Sequence, residues 1–518
     1  MVNRTTQIGK AYTGVEFAFP TWEEQDADWR QIDRRIPDDH LARRIDEGVG
    51  RLHLDALFGS YQGRGSPPLR PDLMLKIVMY EIAVGRPSPA AWFRDTRDSD
   101  TVKWLGFGIQ PSRTTCYEFW ERVVPYFDGW NEQVLQSATE EGFTPARRVA
   151  QDGTTVAANA SRHKLVNQET LQRRIGELDE VIAADEQSRS PEKLRCWMAK
   201  HTDTRQAQRA GYERAAEQME KLQAKNQKRR ASKRRPAEKI VLSVSDPEAA
   251  CGRDKLNVFR PLYNVQLQYD LDSPFILGYD VFNRATDTGT LPPMLERTSE
   301  LIGRKPAVVL ADSTYATILD LEVCQQHEIT LYAPVNENDY SGKNHRKPQT
   351  NQFTQLPKAE FTWLADEATF VCPEGHRLEQ EKTSWVKRLG DQKLRNMRFR
   401  CPPEHCRVCP RGAECTPSPD KGRTVSRLEN EELLDELRER MKTEQAKVLY
   451  RLRGQTVELA FADMKEHRSL RRFSGRGLRK AKAQVAALVL ARNLLTLSKE
   501  ENRHETDSRP LRTLEKIA

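Results

Sequence analysis

A chain of 518 residues is long enough for two or more domains, and its 37% hydrophobic and 31% charged residues, with a mean hydropathy of −0.75, allow a core but demand large solvated or polyanion-facing surfaces. The net charge is only +8, yet cations cluster: residues 221–239 carry nine Lys and Arg against one acid, and residues 441–484 carry twelve against four, the footprint of a polyanion partner. The longest apolar run, Ala483–Leu497, is short and interrupted by Arg492, the N-terminus lacks an apolar signal segment, and nine Cys do not make a secreted disulfide scaffold; the expectation is a cytoplasmic protein with no membrane partner.

In chain order, residues 1–37 read as a polar N-terminal extension carrying Phe17, Phe19 and Trp22. Residues 38–142 are helical by pattern, with helices over Asp38–Val49, Asp72–Val84, Pro89–Leu105 and Thr114–Glu140. Ser112 or Thr114 is the expected N-cap of the last, with Arg113 at its mouth. By pattern alone this segment is a helical bundle; a helix-turn-helix reader is the alternative.

At Arg147 the character changes, and Arg148–Ala157 reads as a strand carrying Asp152 with Gly153 behind it. Residues 166–240 form a helical, basic insert. Strands are expected at Asn257–Tyr269 and Phe275–Phe282, a helix near Thr288–Ile302, and a short buried strand ending on Asp312. A helix at Ile318–His327 and a strand at Ile329–Pro334 follow. That order, with three early strands lacking intervening helices, suits a ribonuclease H-like α/β sheet better than a doubly wound one. Residues 336–425 break the pattern with Asn, Lys, Pro and Cys, Arg427–His467 is mostly helical, Arg479–Ser498 is a final amphipathic helix, and 499–518 is a polar tail expected to be disordered.

Asp152 and Asp312 each sit on a β-like segment beside small residues, and Glu458 shares a helix face with Lys465, seven residues on. Either aspartate alone reads as a turn or capping acid. Three carboxylates from separate segments are what a two-metal nuclease requires, with Mg²⁺ or Mn²⁺ taking their oxygens together with those of phosphate. The Arg468–Lys482 stretch follows the acid-bearing helix directly, so Arg471, Arg472, Arg476 and Arg479 are phosphate-contact candidates; much of the 221–239 arm reads as a solvated face.

Five Cys fall within residues 372–415, and Cys406 and Cys409 have knuckle spacing. The expected structural Zn²⁺ set is Cys401, Cys406, Cys409 and Cys415, with Cys372 as substitute for one, and a group of reduced thiols without metal is the alternative.

Asp152-Gly-Thr, Ala311-Asp312-Ser-Thr-Tyr and Tyr450-x₂-Arg453-x₄-Glu458-x₆-Lys465 resemble the three catalytic blocks of bacterial insertion-sequence DDE transposases, of the ribonuclease H-like, retroviral-integrase superfamily. Tyr263-Asn-Val-Gln266, Asn283-x-Ala-Thr-Asp287 and Arg472-Phe-Ser-Gly-Arg-Gly477 are further matches, and Arg70–Lys76 with the following helices resembles the family's N-terminal DNA-binding domain. The gap from Arg453 to Glu458 is one residue longer than in the most compact form of the signature. The resemblance covers roughly residues 40–498.

It implies an all-α N-terminal DNA-binding domain (38–142) and a DDE catalytic domain (143–498) with a helical basic insert (166–240) and a Cys-rich, zinc-binding insert (336–425). Asp152, Asp312 and Glu458 would hold the metals, Lys465 and Tyr450 would contact the strand near the cut, and Arg453 would clamp a phosphate. The expected activity is terminal-repeat binding, strand cleavage and strand transfer by a homodimer on double-stranded DNA. The rival readings are a metal-dependent nuclease of the same fold that does not join strands, and a catalytically silent zinc-containing DNA-binding protein.

Overall fold

A computed structural model of the chain describes residues 15–62, 65–187, 194–229, 231–336, 340, 355–387 and 393–507. It divides into two compact units, one of Met1–Asp287, Met294–Lys305 and Gln455–Ala518, the other of Thr288–Pro293 and Pro306–Gly454. Parts of the expected N-terminal extension, basic arm, Cys-rich insert and tail lie outside the described residues. Among the described residues no helix is long and apolar enough to cross a membrane.

In the first unit the N-terminal helices are Ala27–Asp33, Leu41–Gly50, the short Asp55–Gly59, Pro71–Ala83, Pro89–Asp98, Asp100–Leu105, Arg113–Val123 and Phe127–Glu140. Two expected helices are each split. The first breaks at Ser99, whose extended backbone lets its side chain accept from Val102 N. The second breaks at Pro125, which cannot donate to a continuing helix and sits in a 3-10 turn, Val124–Tyr126. Ser112, one of the two expected caps, accepts from Thr115 N at 3.0 Å.

Pro71–Ala83 buries Leu73, Met74, Leu75, Ile77, Val78, Met79 and Ile82, apolar nearly all round as a central helix must be. The same holds for Ala486–Ala491 in the long helix Leu478–Asp507. That helix packs on Leu41–Gly50, Pro71–Ala83 and Phe127–Glu140 and on the strand Ile276–Phe282. Asn131 Nδ2 donates to the Ala486 carbonyl and the Tyr279 hydroxyl, both at 3.1 Å, and Asn493 Nδ2 donates to the Ile276 carbonyl at 2.9 Å. Helical region and sheet thus share one unit. The long helix also continues to Asp507, into the segment expected to be a disordered tail; an ion pair of Glu501 with Arg51 ties this extension down.

The sheet of this unit is built on Phe259–Asp270. One edge pairs antiparallel with Arg148–Ala157, setting Asp152 opposite Leu267. The other edge is shared, Ala250–Arg253 pairing at its start and Ile276–Phe282 further along. Nearly every residue of the central strand is buried, as in a sheet covered on both faces. The basic insert is a pair of helices, Gln168–Glu186 and Thr202–Gln227, with a small core of Leu171, Leu178, Tyr212, Ala215 and Met219 and a buried Arg205–Asp185 ion pair at 2.6 Å. Leu165–Val166 pairs with Leu242–Ser243 at its base.

In the second unit, Val308–Leu310 and Thr330–Tyr332 pair in parallel, with helix Ile318–Gln326 between them in sequence. Helices Glu432–Lys442 and Glu444–Gly454 belong to the same unit. The Cys-rich segment is not irregular, as its composition suggested. It holds a hairpin, Thr362–Leu364 with Thr369–Val371, and a three-stranded antiparallel sheet, Glu379–Lys387, Lys393–Arg400 and Thr424–Leu428. These strands are rich in Lys, Arg and Glu and bury few residues, among them Phe399 and Val425, so apolar patterning was weak. Trp363, Phe370 and Phe399 pack edge-on at 4.9 to 5.5 Å in their core.

Candidate catalytic and DNA-contacting site

Asp152 lies half-buried on its strand, and its Oδ1 accepts from Gly153 N at 2.8 Å. Gly153 is required by what faces it: a Cβ there would run into the Gln266 amide and the Asp287 carboxylate. That carboxylate accepts from Asn264 Nδ2 at 2.8 Å and Gln266 Nε2 at 2.7 Å. Two strand amides thereby hold a second acid directly beside the Asp152 backbone.

The helix Val457–Glu466 buries Val457, Ala460, Phe461 and Met464. Glu458 is exposed in its first turn, where an acid is favoured by the helix dipole. Lys465, in the last turn, donates to the hydroxyl of Thr154. Burial, then the nearby cations Lys255 and Arg471, hold its pKa below the usual lysine value, with Asp152 and Asp254 pulling the other way. A desolvated ammonium among cations and beside a carboxylate is suited to meeting an anion.

Asp463 anchors this helix. Its Oδ2 accepts from Arg468 Nε at 2.8 Å and Arg492 Nη1 at 2.6 Å. Burial pushes this carboxyl up, but the two guanidinium groups outweigh it and hold it below the usual aspartate range. Sequence reading missed Asp463, Arg492 and Lys255, because their partners are remote in sequence and no spacing signals them.

The basic loop is pinned to the end of the Asp152 strand. Ala157 N donates to the Arg471 carbonyl at 3.3 Å, and Phe473 N donates to the Ala157 carbonyl at 2.9 Å. Arg472 donates to the Ala160 carbonyl at 3.3 Å and Arg476 to the Asn159 carbonyl at 3.2 Å. Arg471 pairs with Glu466. Arg479 pairs with Glu121, which Lys480 also engages at 2.9 Å. Arg113 is exposed at the start of its helix.

Asp312, Tyr450 and Arg453 belong to the second unit. Asp312 stands two residues past Val308–Leu310, and its Oδ1 accepts from Thr314 N at 2.7 Å, capping the turn Ser313–Tyr315. Tyr450 and Arg453 are half-buried on Glu444–Gly454, which is separated from the Glu458 helix by Gln455 and Thr456.

All five clustered cysteines, Cys372, Cys401, Cys406, Cys409 and Cys415, line one cavity with His376 and His405. Among the described residues no three His, Cys, Asp or Glu side chains already stand in metal-holding geometry, either there or at the acids.

No curated protein matches the chain. Residues 371–498 match the family described as Transposase DDE domain, a segment that takes in Glu458, Lys465, the Arg471–Arg476 loop and much of the long helix but neither Asp152 nor Asp312. This segment of the chain is therefore similar to a transposase DDE domain, and the Lys465 it contains is bonded two residues from Asp152.

Proposed function

We propose that the protein moves an insertion sequence: it binds the element's terminal repeats, cleaves a strand at each end and transfers the freed 3′-hydroxyl to a second strand. Asp152, Asp312 and Glu458 are the proposed carboxylates of a ribonuclease H-like catalytic core. The observation that carries this reading is the Lys465 side chain seated on Thr154 beside Asp152, with residues 371–498 similar to a transposase DDE domain.

The donor set fits a hard divalent cation, since all three residues offer carboxylate oxygens and Glu458 is exposed. Bound Mg²⁺ or Mn²⁺ would supply Lewis acidity for in-line phosphoryl transfer. The protein's own contribution is positional. Lys465 offers a point charge to the phosphate flanking the cut, Arg472 and Arg476 track the backbone from a loop fixed to the Asp152 strand, and Arg453, Tyr450 and Arg113 bind further along the DNA. A homodimer would hold both element ends for joining.

The test is incubation with terminal-repeat duplex and Mg²⁺, comparing the native chain with Glu458→Gln. Cleavage followed by strand joining, lost in the variant, is expected. Cleavage without joining would make the protein a nuclease of the same fold. Binding without either reaction, or equal activity in the variant, would refute the catalytic assignment.

A further inference from the structure

The Cys-rich module has its own chemistry, independent of the phosphoryl-transfer reading. Its apolar core is small: Leu356, Phe361, Phe370, Leu378, Phe399 and Val425, completed by the buried Cys401, Cys406 and Cys415 with Cys372 packed against them. None of the chain's nine cysteines is in a disulfide. The cluster lines a cavity of about 20 Å³, room for a single atom of water size.

Two backbone amides are aimed at sulfur. His376 N donates to Cys372 Sγ at 3.3 Å and Arg423 N to Cys406 Sγ at 3.5 Å. The first belongs to a tight loop in which Cys372 N donates to the His376 carbonyl at 2.8 Å and Gly375 N to the Cys372 carbonyl at 2.9 Å. A neutral thiol is a weak acceptor, whereas a thiolate rewards such donors. The Arg423 side chain adds positive charge near Cys415.

We propose that Cys372, Cys401, Cys406 and Cys415 bind one structural Zn²⁺ as four thiolates. Cys401 hydrogen-bonds with Cys406 and lies within interacting range of Cys372 and Cys415, and Cys415 is in turn near Cys406, Cys409 and Cys372. Cys372 and Cys409 are both partly buried, but Cys372 packs against the apolar core and Cys409 does not belong to it. His376 and His405 stack face to face, centroids 4.1 Å apart, and so hold each other rather than converging on one point. The thiols now meet as thiol partners, not in ligating geometry. They surround one cavity, and a zinc ion bound there would draw the sulfurs to about 2.3 Å.

A dication would take the four sulfurs as thiolates and release their protons as it binds. The ion would then tie residue 372 to residue 415 and rigidify a module with few apolar residues to spare.

The full-length chain, purified under reducing conditions with added zinc, is expected to carry one zinc per chain. Cys372→Ser, Cys401→Ser and Cys406→Ser should each lose it, while Cys409→Ser and Asp152→Asn should retain it. Cobalt replacement in the native chain and in Cys409→Ser should give the same thiolate-to-metal charge-transfer absorption, a readout that does not depend on whether the other variants fold. Absence of zinc with all five thiols open to a thiol reagent would overturn the site. So would iron with sulfide in its place. Zinc kept by Cys372→Ser but lost by Cys409→Ser would overturn the ligand set.

Discussion

The Lys465 ammonium donates to the Thr154 hydroxyl, two residues beyond Asp152 on the same strand. This bond orients a cation whose helix also carries Glu458, and it makes Lys465 the most direct probe of the site. Lys465→Met keeps the side chain's apolar stem and removes its charge. Strand cleavage in single turnover should fall by roughly two orders of magnitude, the scale of losing one charge-stabilising donor. Terminal-repeat affinity should become less salt-dependent. Burial and neighbouring cations lower this lysine's pKa from 10.5, so the folded chain releases the proton at lower pH than the unfolded one. In that window below 10.5 stability gains with rising pH while phosphate binding declines. The variant should show neither trend in denaturation and binding titrations.

Asp463→Asn tests whether the helix is held where Lys465 can reach the strand. The aspartate's two arginine partners are largely shielded from water, so their loss should cost roughly 1.5–3 kcal/mol in urea denaturation. Because the folded pKa is depressed, this contribution is present above the ordinary aspartate range and disappears as pH falls through the lowered value. An acid titration should therefore show a loss in the native chain that the variant lacks. Cleavage should drop even at pH 7, where both proteins are folded.

Gly153→Ala places a methyl against the Gln266 amide and the Asp287 carboxylate. Overpacking at this strand should cost roughly 1–3 kcal/mol and lower cleavage. Adding Gln266→Ala opens part of that space and should recover some stability by thermal denaturation. No recovery would mean that Asp287 alone sets the constraint.

These residues show what could be read in advance. The acid strand, the paired strands after it and the helix with Lys465 were legible because apolar runs and periodicity are local. Asp152-Gly-Thr also carried its glycine and threonine, though only the fold gives Gly153 a neighbour in Asp287 and Thr154 a partner in Lys465. The Cys-rich strands were hidden because Lys393–Arg400 alternates few apolar side chains with many charges. The split at Ser99 was equally hidden, since one serine cap outweighs a helical pattern that runs through it. Arg479 shows a further limit: its place in a basic run suggested DNA, while a remote glutamate, Glu121, already pairs with it.

Glu81 gives the last prediction. Its side chain is fully buried on the central N-terminal helix, with Arg86 Nη1 at 3.9 Å. Burial, and then the charge of Asp95, push its pKa from 4.5 up to about 8, against the pull of Arg86 and Arg94. The folded chain therefore holds a proton that the unfolded chain releases, and stability should fall as pH rises from about 4.5 to about 8. Glu81→Gln keeps the shape without the titration. Its urea midpoint should fall less steeply across that range, since Asp320, raised to about 6, still titrates, and should exceed the native chain's at pH 8, whereas a parallel decline in both proteins would show that Glu81 does not contribute to the slope. The helix ends two residues on, and Gly85 then abuts the His467 carbonyl just past the Lys465 helix. Loosening at Glu81 above pH 8 should thus lower DNA cleavage in the native chain before global unfolding, and not in the variant.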